Sequence, residues 1–223
     1  MSSLNTREKA RTLELLATVA IVGLAFFAVI ASLLPLISEY TLTADFISEL
    51  AIGRFGYLQT VAFFAAGLGT LALAWVIREV TKGSWGSRLG STLVGMYGVG
   101  LVLAGLFPTY ETDPAGHAVS PTSAGTVHIV VSVLAFVLSI AGVFVLSRTF
   151  KRDARWRAFW PWSLALAFTA MVGFIMFAIS EGAWIGLIQR IFIGTVFLWQ
   201  VLVAFRILSI SKGASAEHPS RVR

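Results

Sequence analysis

The chain has 223 residues, 57% of them apolar and 13% charged, a formal charge of +6 and no cysteine, with a mean hydropathy of +0.84. Soluble domains carry about 25% charged residues, so a soluble globular fold is excluded, and collagen-like, disordered and disulfide-stapled classes fall with it. The absence of thiols also removes thiolate nucleophiles and thiolate metal sites.

A helix needs roughly 20 apolar residues to cross a hydrocarbon layer about 30 Å thick. Six stretches meet that requirement: 12–38, 57–78, 88–107, 124–147, 158–179 and 186–208. The first follows Arg7, Lys9 and Arg11, but its apolar run far exceeds the core of a signal peptide, about 7–15 residues, so it is expected to remain as an anchor. Pro35 should end or kink it near its far end. In the third span Ser91, Gly95, Gly98, Val102 and Gly105 fall on one stripe at 100° per residue, which lets another helix approach closely and suggests the centre of the bundle. Pro161 suits the first turn of the fifth helix. Trp160 and Trp162 suit the headgroup zone, and Trp85, Trp156, Trp184 and Trp199 read the same way or as core.

Basic loops resist translocation. Fifteen of the 17 lysines and arginines lie before the first span, around the second and fourth loops and after the sixth span; Arg54 and Arg190 are the exceptions. The expected fold class is therefore an all-α, polytopic membrane helix bundle with six transmembrane helices and both termini cytoplasmic. It divides into an N-terminal tail over 1–11, a transmembrane domain over 12–209 and an unordered C-terminal tail over 210–223. The pI near 10.2 reads as this topology signal, with attraction to anionic headgroups, and not as a nucleic-acid surface. Membrane lipids are the expected partners, in the cell membrane; no nucleic acid, soluble cofactor or other cofactor is implied.

The external side then collects Ser38, Glu39, Asp45, Ser48, Glu49, Arg54, Glu111, Asp113, His117, His128, Glu181, Gln189 and Arg190. If Thr122 or Ser123 caps the fourth helix, His128 lies about 6 Å inside the rim at 1.5 Å per residue, and Arg190 is similarly placed in the sixth. Ionisable groups at such depth face the bundle or a wet cavity and find partners, with Glu49 as the counter-ion expected for Arg190. A tripeptide recurs at this rim, as Ile37-Ser38-Glu39, Ile47-Ser48-Glu49 and Ile179-Ser180-Glu181, and reads as coincidence or as the trace of a duplication.

Ile47-Ser48-Glu49-Leu50, Ala104-Gly105-Leu106-Phe107-Pro108, Gly125-Thr126-Val127-His128, Trp156-Arg157 and Gln189-Arg190-Ile191-Phe192, in that order and spacing, resemble the signatures of the six-helix membrane family catalogued as domain of unknown function 998, over about residues 15–208. That family's Phe-Pro pair is commonly followed two positions later by an aspartate, which here is displaced to Asp113. The resemblance implies a fold and a membrane location, and no reaction.

Three functional classes follow. The leading one is an outer-face polar pocket for a lipid or other amphiphile, built from Ser48, Glu49, His117, His128, Gln189 and Arg190. A second is a membrane hydrolase, metal-assisted or acid-base, with His128, Glu49 and Asp113 as catalytic candidates and His117, His128 and Asp113 as metal ligands. That set suits a catalytic zinc in residue type, although the histidines are eleven residues apart and do not share a helix face. The third is a non-enzymatic accessory or structural subunit. Serine-elbow, kinase and Walker motifs are absent.

Overall fold

The computed structural model describes residues 2–111 and 119–216, with side chains over 8–111 and 119–211. It contains six long helices: α1 (Ser2–Leu33), α2 (Gly56–Val80), α3 (Trp85–Leu106), α4 (Ser123–Arg152), α5 (Trp160–Ile179) and α6 (Ile185–Ala216). All six are long and apolar enough to cross a membrane, and no strand occurs among the described residues. The protein is an all-helical, multi-pass integral membrane protein.

Local chemistry sets the helix ends. Pro35 stands in the short 3-10 segment Leu34–Ile37 that terminates α1, and Pro161 opens α5, where its missing donor would have no partner. The Ser84 hydroxyl accepts the Ser87 N–H at 3.0 Å and that of Thr122 the Gly125 N–H at 3.0 Å, capping α3 and α4. Gly83 and Gly182 adopt left-handed backbone angles in the turns before α3 and α6, a conformation that costs glycine least. α1 and α6 run past the apolar spans into the polar tails, α6 as far as Ala216.

Each helix packs on its neighbours in sequence and α6 closes on α1, giving a ring of six staves. α3 is therefore not the hub that its glycine stripe suggests; its extensive contacts are with α2 and α4. Both of its faces are thin. Gly98 lies on Gly67 and Leu71 of α2, and Gly105 on Phe63 and Phe64, whereas Gly90 faces Leu146 and Gly100 faces Ala135 of α4. Thinness serves two close neighbours at once.

The tryptophans divide. Trp85, Trp162 and Trp184 are exposed at the helix ends, as an interfacial belt requires, but Trp156 and Trp199 are buried. Trp156 stacks on Phe150 with ring centroids 4.3 Å apart, and Trp199 Nε1 donates to Ser163 Oγ at 2.7 Å, itself 2.7 Å from Ser147 Oγ. This network pins α4, α5 and α6 together at the end rich in basic residues. Arg155 completes that rim: Nη2 donates to the Val80 carbonyl at 2.7 Å, the side chain pairs with Asp153 at 2.7 Å, and Arg206 donates to the Arg155 carbonyl. Hydrogen bonding from Arg155 holds the Asp153 carboxyl below its ordinary pKa.

Candidate functional site

At the opposite rim the loop between α1 and α2 folds back into the ring. The Asp45 carboxylate accepts the N–H and hydroxyl of Thr41, and the Thr41 hydroxyl accepts the Ala44 N–H at 3.2 Å, which doubles the loop on itself. The Phe46 N–H then donates to Glu49 Oε2 at 2.6 Å, opening a 3-10 turn over Glu49–Ala51. Ile47, Ser48, Glu49 and Leu50 are all buried, so a segment that reads as an external loop is part of the interior.

α6 holds this segment. A Cβ at Gly186 would strike the carbonyls of Asp45 and Thr43, so only a glycine lets the two backbones meet. The Leu187 N–H, one of the donors left over in a first helical turn, reaches the Thr43 carbonyl at 3.0 Å. One turn on, Gln189 Oε1 accepts the Ile47 N–H at 2.8 Å, and Arg190 Nη1 donates to the Asp45 carbonyl at 2.6 Å and to the Gly186 carbonyl at 3.1 Å. The Phe46 ring stands edge-on to Phe177 of α5 with centroids 5.8 Å apart. The loop is thereby a roof across the ring. Tyr40 lies in it, and burial, then the carboxylates of Glu111, Glu49, Asp45 and Glu39, raises its phenol above the ordinary pKa.

His128 is buried beneath the roof. Its Nδ1 lies 3.1 Å from the Ala104 carbonyl and 2.7 Å from the Phe107 carbonyl. Carbonyls only accept, so Nδ1 carries the proton and Nε2 is left with the lone pair in the neutral ring. No described side chain or backbone group bonds Nε2.

Below the roof lies a cavity of about 260 Å³ to which all six helices contribute. Phe27, Phe63, Leu101, Phe136 and Ile193 supply its apolar wall, and Ser48, Tyr97, Thr109, His128, Ser132 and Gln189 its polar groups. It extends from His128 at the level of Ala104 down to Tyr97, about 10 Å at 1.5 Å per residue. Ile129 and Val133 of α4 line it and are also exposed, so its α4 side reaches the outer surface of the ring. No Asp, Glu, Lys or Arg side chain lines it among the described residues. The Tyr97 side chain is fully buried, and its hydroxyl has no hydrogen-bond partner among the described residues.

Of the residues expected to form the site, Ser48, His128 and Gln189 meet on this cavity. Glu49 is buried in the roof, tied to the Phe46 N–H. Arg190 spends its bonds on two carbonyls and faces a separate groove between α1 and α6; the carboxylates of Asp45 and Glu49 act on it electrostatically. Asp113 and His117 lie outside the described residues. No three His, Asp or Glu side chains gather into a metal-holding group among those described. The recurring tripeptide has no common setting: its second copy is buried, whereas Ile37 and Ile179 are exposed at helix ends. Tyr97 is the residue that sequence reasoning missed. A tyrosine between Gly95 and Gly98, at mid-depth in an apolar span, is the only trace it leaves in the sequence.

A family model described as a protein of unknown function, DUF998, matches residues 20–206. No curated protein and no solved structure matches the chain. The chain belongs to the DUF998 family.

Proposed function

We propose that this member of the DUF998 family binds a neutral amphiphile, a lipid in the first instance, in the cavity beneath the roof, with the acidic rim facing out of the cell membrane and the basic rim facing the cytoplasm. The observation that carries this reading is the Tyr97 hydroxyl. A buried polar group without a partner costs about 1–3 kcal/mol, and this one stands at the floor of a cavity whose other walls are largely apolar. A ligand hydroxyl or carbonyl satisfies it. Gln189 and the Nε2 of His128 offer further partners nearer the roof.

The uncharged lining sets the ligand's chemistry. A phosphate or carboxylate placed there would have no counter-ion and would bear the full cost of desolvation, whereas an alcohol, ester or ketone on an apolar body needs one or two hydrogen bonds. The α4 side of the cavity, which reaches the outer surface of the ring, suits entry from the bilayer rather than from water. The basic side chains gathered at the opposite rim support the orientation through their resistance to translocation.

Thermal unfolding of the purified protein with a long-chain alcohol and with the fatty acid of equal length tests the proposal. The alcohol should raise Tm and the ionised acid should not. Equal response to both, or to neither, defeats it.

A further inference from the structure

The groove between α1 and α6 has a volume of about 320 Å³ and is lined by Ala28, Ser32, Arg190, Gly194, Phe197 and Leu198 among others. Ala28, Ser32, Gly194 and Leu198 are exposed on the outer surface of the ring, so the groove faces the bilayer. Arg190 stands at its upper end. Nη1 is occupied by the carbonyls of Asp45 and Gly186, but Nε and Nη2 are buried with no acceptor among the described residues. Those two N–H groups form the side-on fork of a guanidinium, the face with which arginine grips paired or bifurcated oxygen acceptors. Buried without an acceptor they are costly, and an oxygen at the upper end of the groove would satisfy them.

Charge and depth narrow the acceptor. The carboxylates of Asp45 and Glu49 both act on the guanidinium, so part of its charge is already compensated and a further anion gains less than it would at a bare arginine. Arg190 follows the start of α6 at Ile185 by five residues, about 7 Å along the axis. That is the thickness of the polar layer on one side of a bilayer, about 5–8 Å, and brings the fork to the boundary where the ester linkages of glycerolipids lie.

We propose that this groove holds an ester-linked acyl chain of a glycerolipid, its carbonyl oxygen on Nε and Nη2 of Arg190 and its chain running past Ala28 and Gly194 toward Phe197. Phe27, Ile47 and Ile193 line both this groove and the cavity beneath the roof and divide the two; the groove takes a different part of a lipid. Gly194 provides a clean probe, because a Cβ there would meet nothing within 4 Å. A side chain at this position therefore starts in open space, and Gly194→Phe should fill the groove.

The test is native mass spectrometry of the full chain loaded with two phosphatidylcholines of identical chain length, one diester and one diether. The wild type should retain the diester several-fold more than the diether. Gly194→Phe and Arg190→Gln should abolish the difference, and Tyr97→Phe should leave it intact. Should Arg190→Gln fail to fold, Gly194→Phe carries the test. Equal retention of the two linkages overturns the proposal, as does retention that follows headgroup charge, with phosphatidylglycerol above phosphatidylcholine whatever the linkage. Loss of the preference in Tyr97→Phe would show that groove and cavity are one site, and likewise overturns it.

Discussion

His128 supplies the hydrogen-bond donor that Pro108 lacks. In a continuing helix the Ala104 carbonyl would accept from the N–H four residues on, which is Pro108, a residue with no N–H. The His128 Nδ1–H takes that place, 3.1 Å from Ala104 O and 2.7 Å from Phe107 O. Two motifs that the sequence shows 20 residues apart are thus one device, a proline stop and its substitute donor.

His128→Ala should consequently destabilise the protein by about 1–3 kcal/mol, the cost of leaving buried carbonyls unsatisfied. His128→Asn, whose amide can present an N–H near the position of Nδ1, should recover most of the loss, and His128→Gln less. Thermal unfolding of the three variants in one detergent checks the order. A purely catalytic histidine would leave Tm unchanged in all three.

Tyr97→Phe removes a hydroxyl that has no partner among the described residues. The ligand-free variant should be as stable as the wild type or more so, while the Tm increase given by a long-chain alcohol should shrink by half or more, since ligand stabilisation follows occupancy of the folded state. A destabilised variant with an unaltered response would place the hydroxyl in the fold instead of the site.

How far the sequence carries is visible in these residues. Span positions, the ends at Pro35 and Pro161, and the Thr122 cap follow from hydropathy and backbone chemistry, which are local. The roof does not, because burial of Ile47 to Leu50 depends on Gln189 and Gly186, some 140 residues away. Trp156 and Trp199 stay open between interface and core in the sequence for a related reason: only the Phe150 stack and the Ser163 hydroxyl, from other helices or turns, draw these two inward. Ser48, His128 and Gln189 were legible as polar residues close to one rim. Tyr97 was not, since nothing in its own span distinguishes a ligand-facing hydroxyl from one satisfied by a neighbour.

Gly186→Ala would drive a methyl group into the Asp45 carbonyl and lift the roof from α6. Overpacking of this kind costs about 1–3 kcal/mol. Faster exchange of the Ile47 and Leu187 amides, with the amides of the Trp156 region unaffected, would locate the damage at the roof. Uniformly faster exchange would contradict a local role.

At the basic rim Asp153 and Arg155 give a pH dependence. The Asp153 carboxyl is held below its ordinary pKa by Arg155, so the folded state binds its proton less readily than the unfolded chain. The stability this provides is present above the unfolded value, about 3.9, and is lost as the pH falls through the lower folded value. The wild type should therefore exceed Asp153→Asn in Tm at pH 7 by a small margin, given the partial exposure of the pair, and the margin should close toward pH 3. A margin constant with pH would exclude the carboxylate as its source.

The chain contains no cysteine, which leaves a silent background for labelling. Leu42→Cys in the roof loop should react with a membrane-impermeant maleimide on intact cells, and Ala154→Cys between α4 and α5 only after permeabilisation. The reverse pattern would invert the orientation proposed above.

The bonds from Asp45 and Ile47 to Arg190 and Gln189 join the first connection of the chain to its last helix, across 145 and 142 residues. Synthesis proceeds from one end, so five helices leave the ribosome before the partners of that connection exist. The chamber is closed by the final stave, and a nascent chain halted before residue 185 would have an open barrel in place of a closed one.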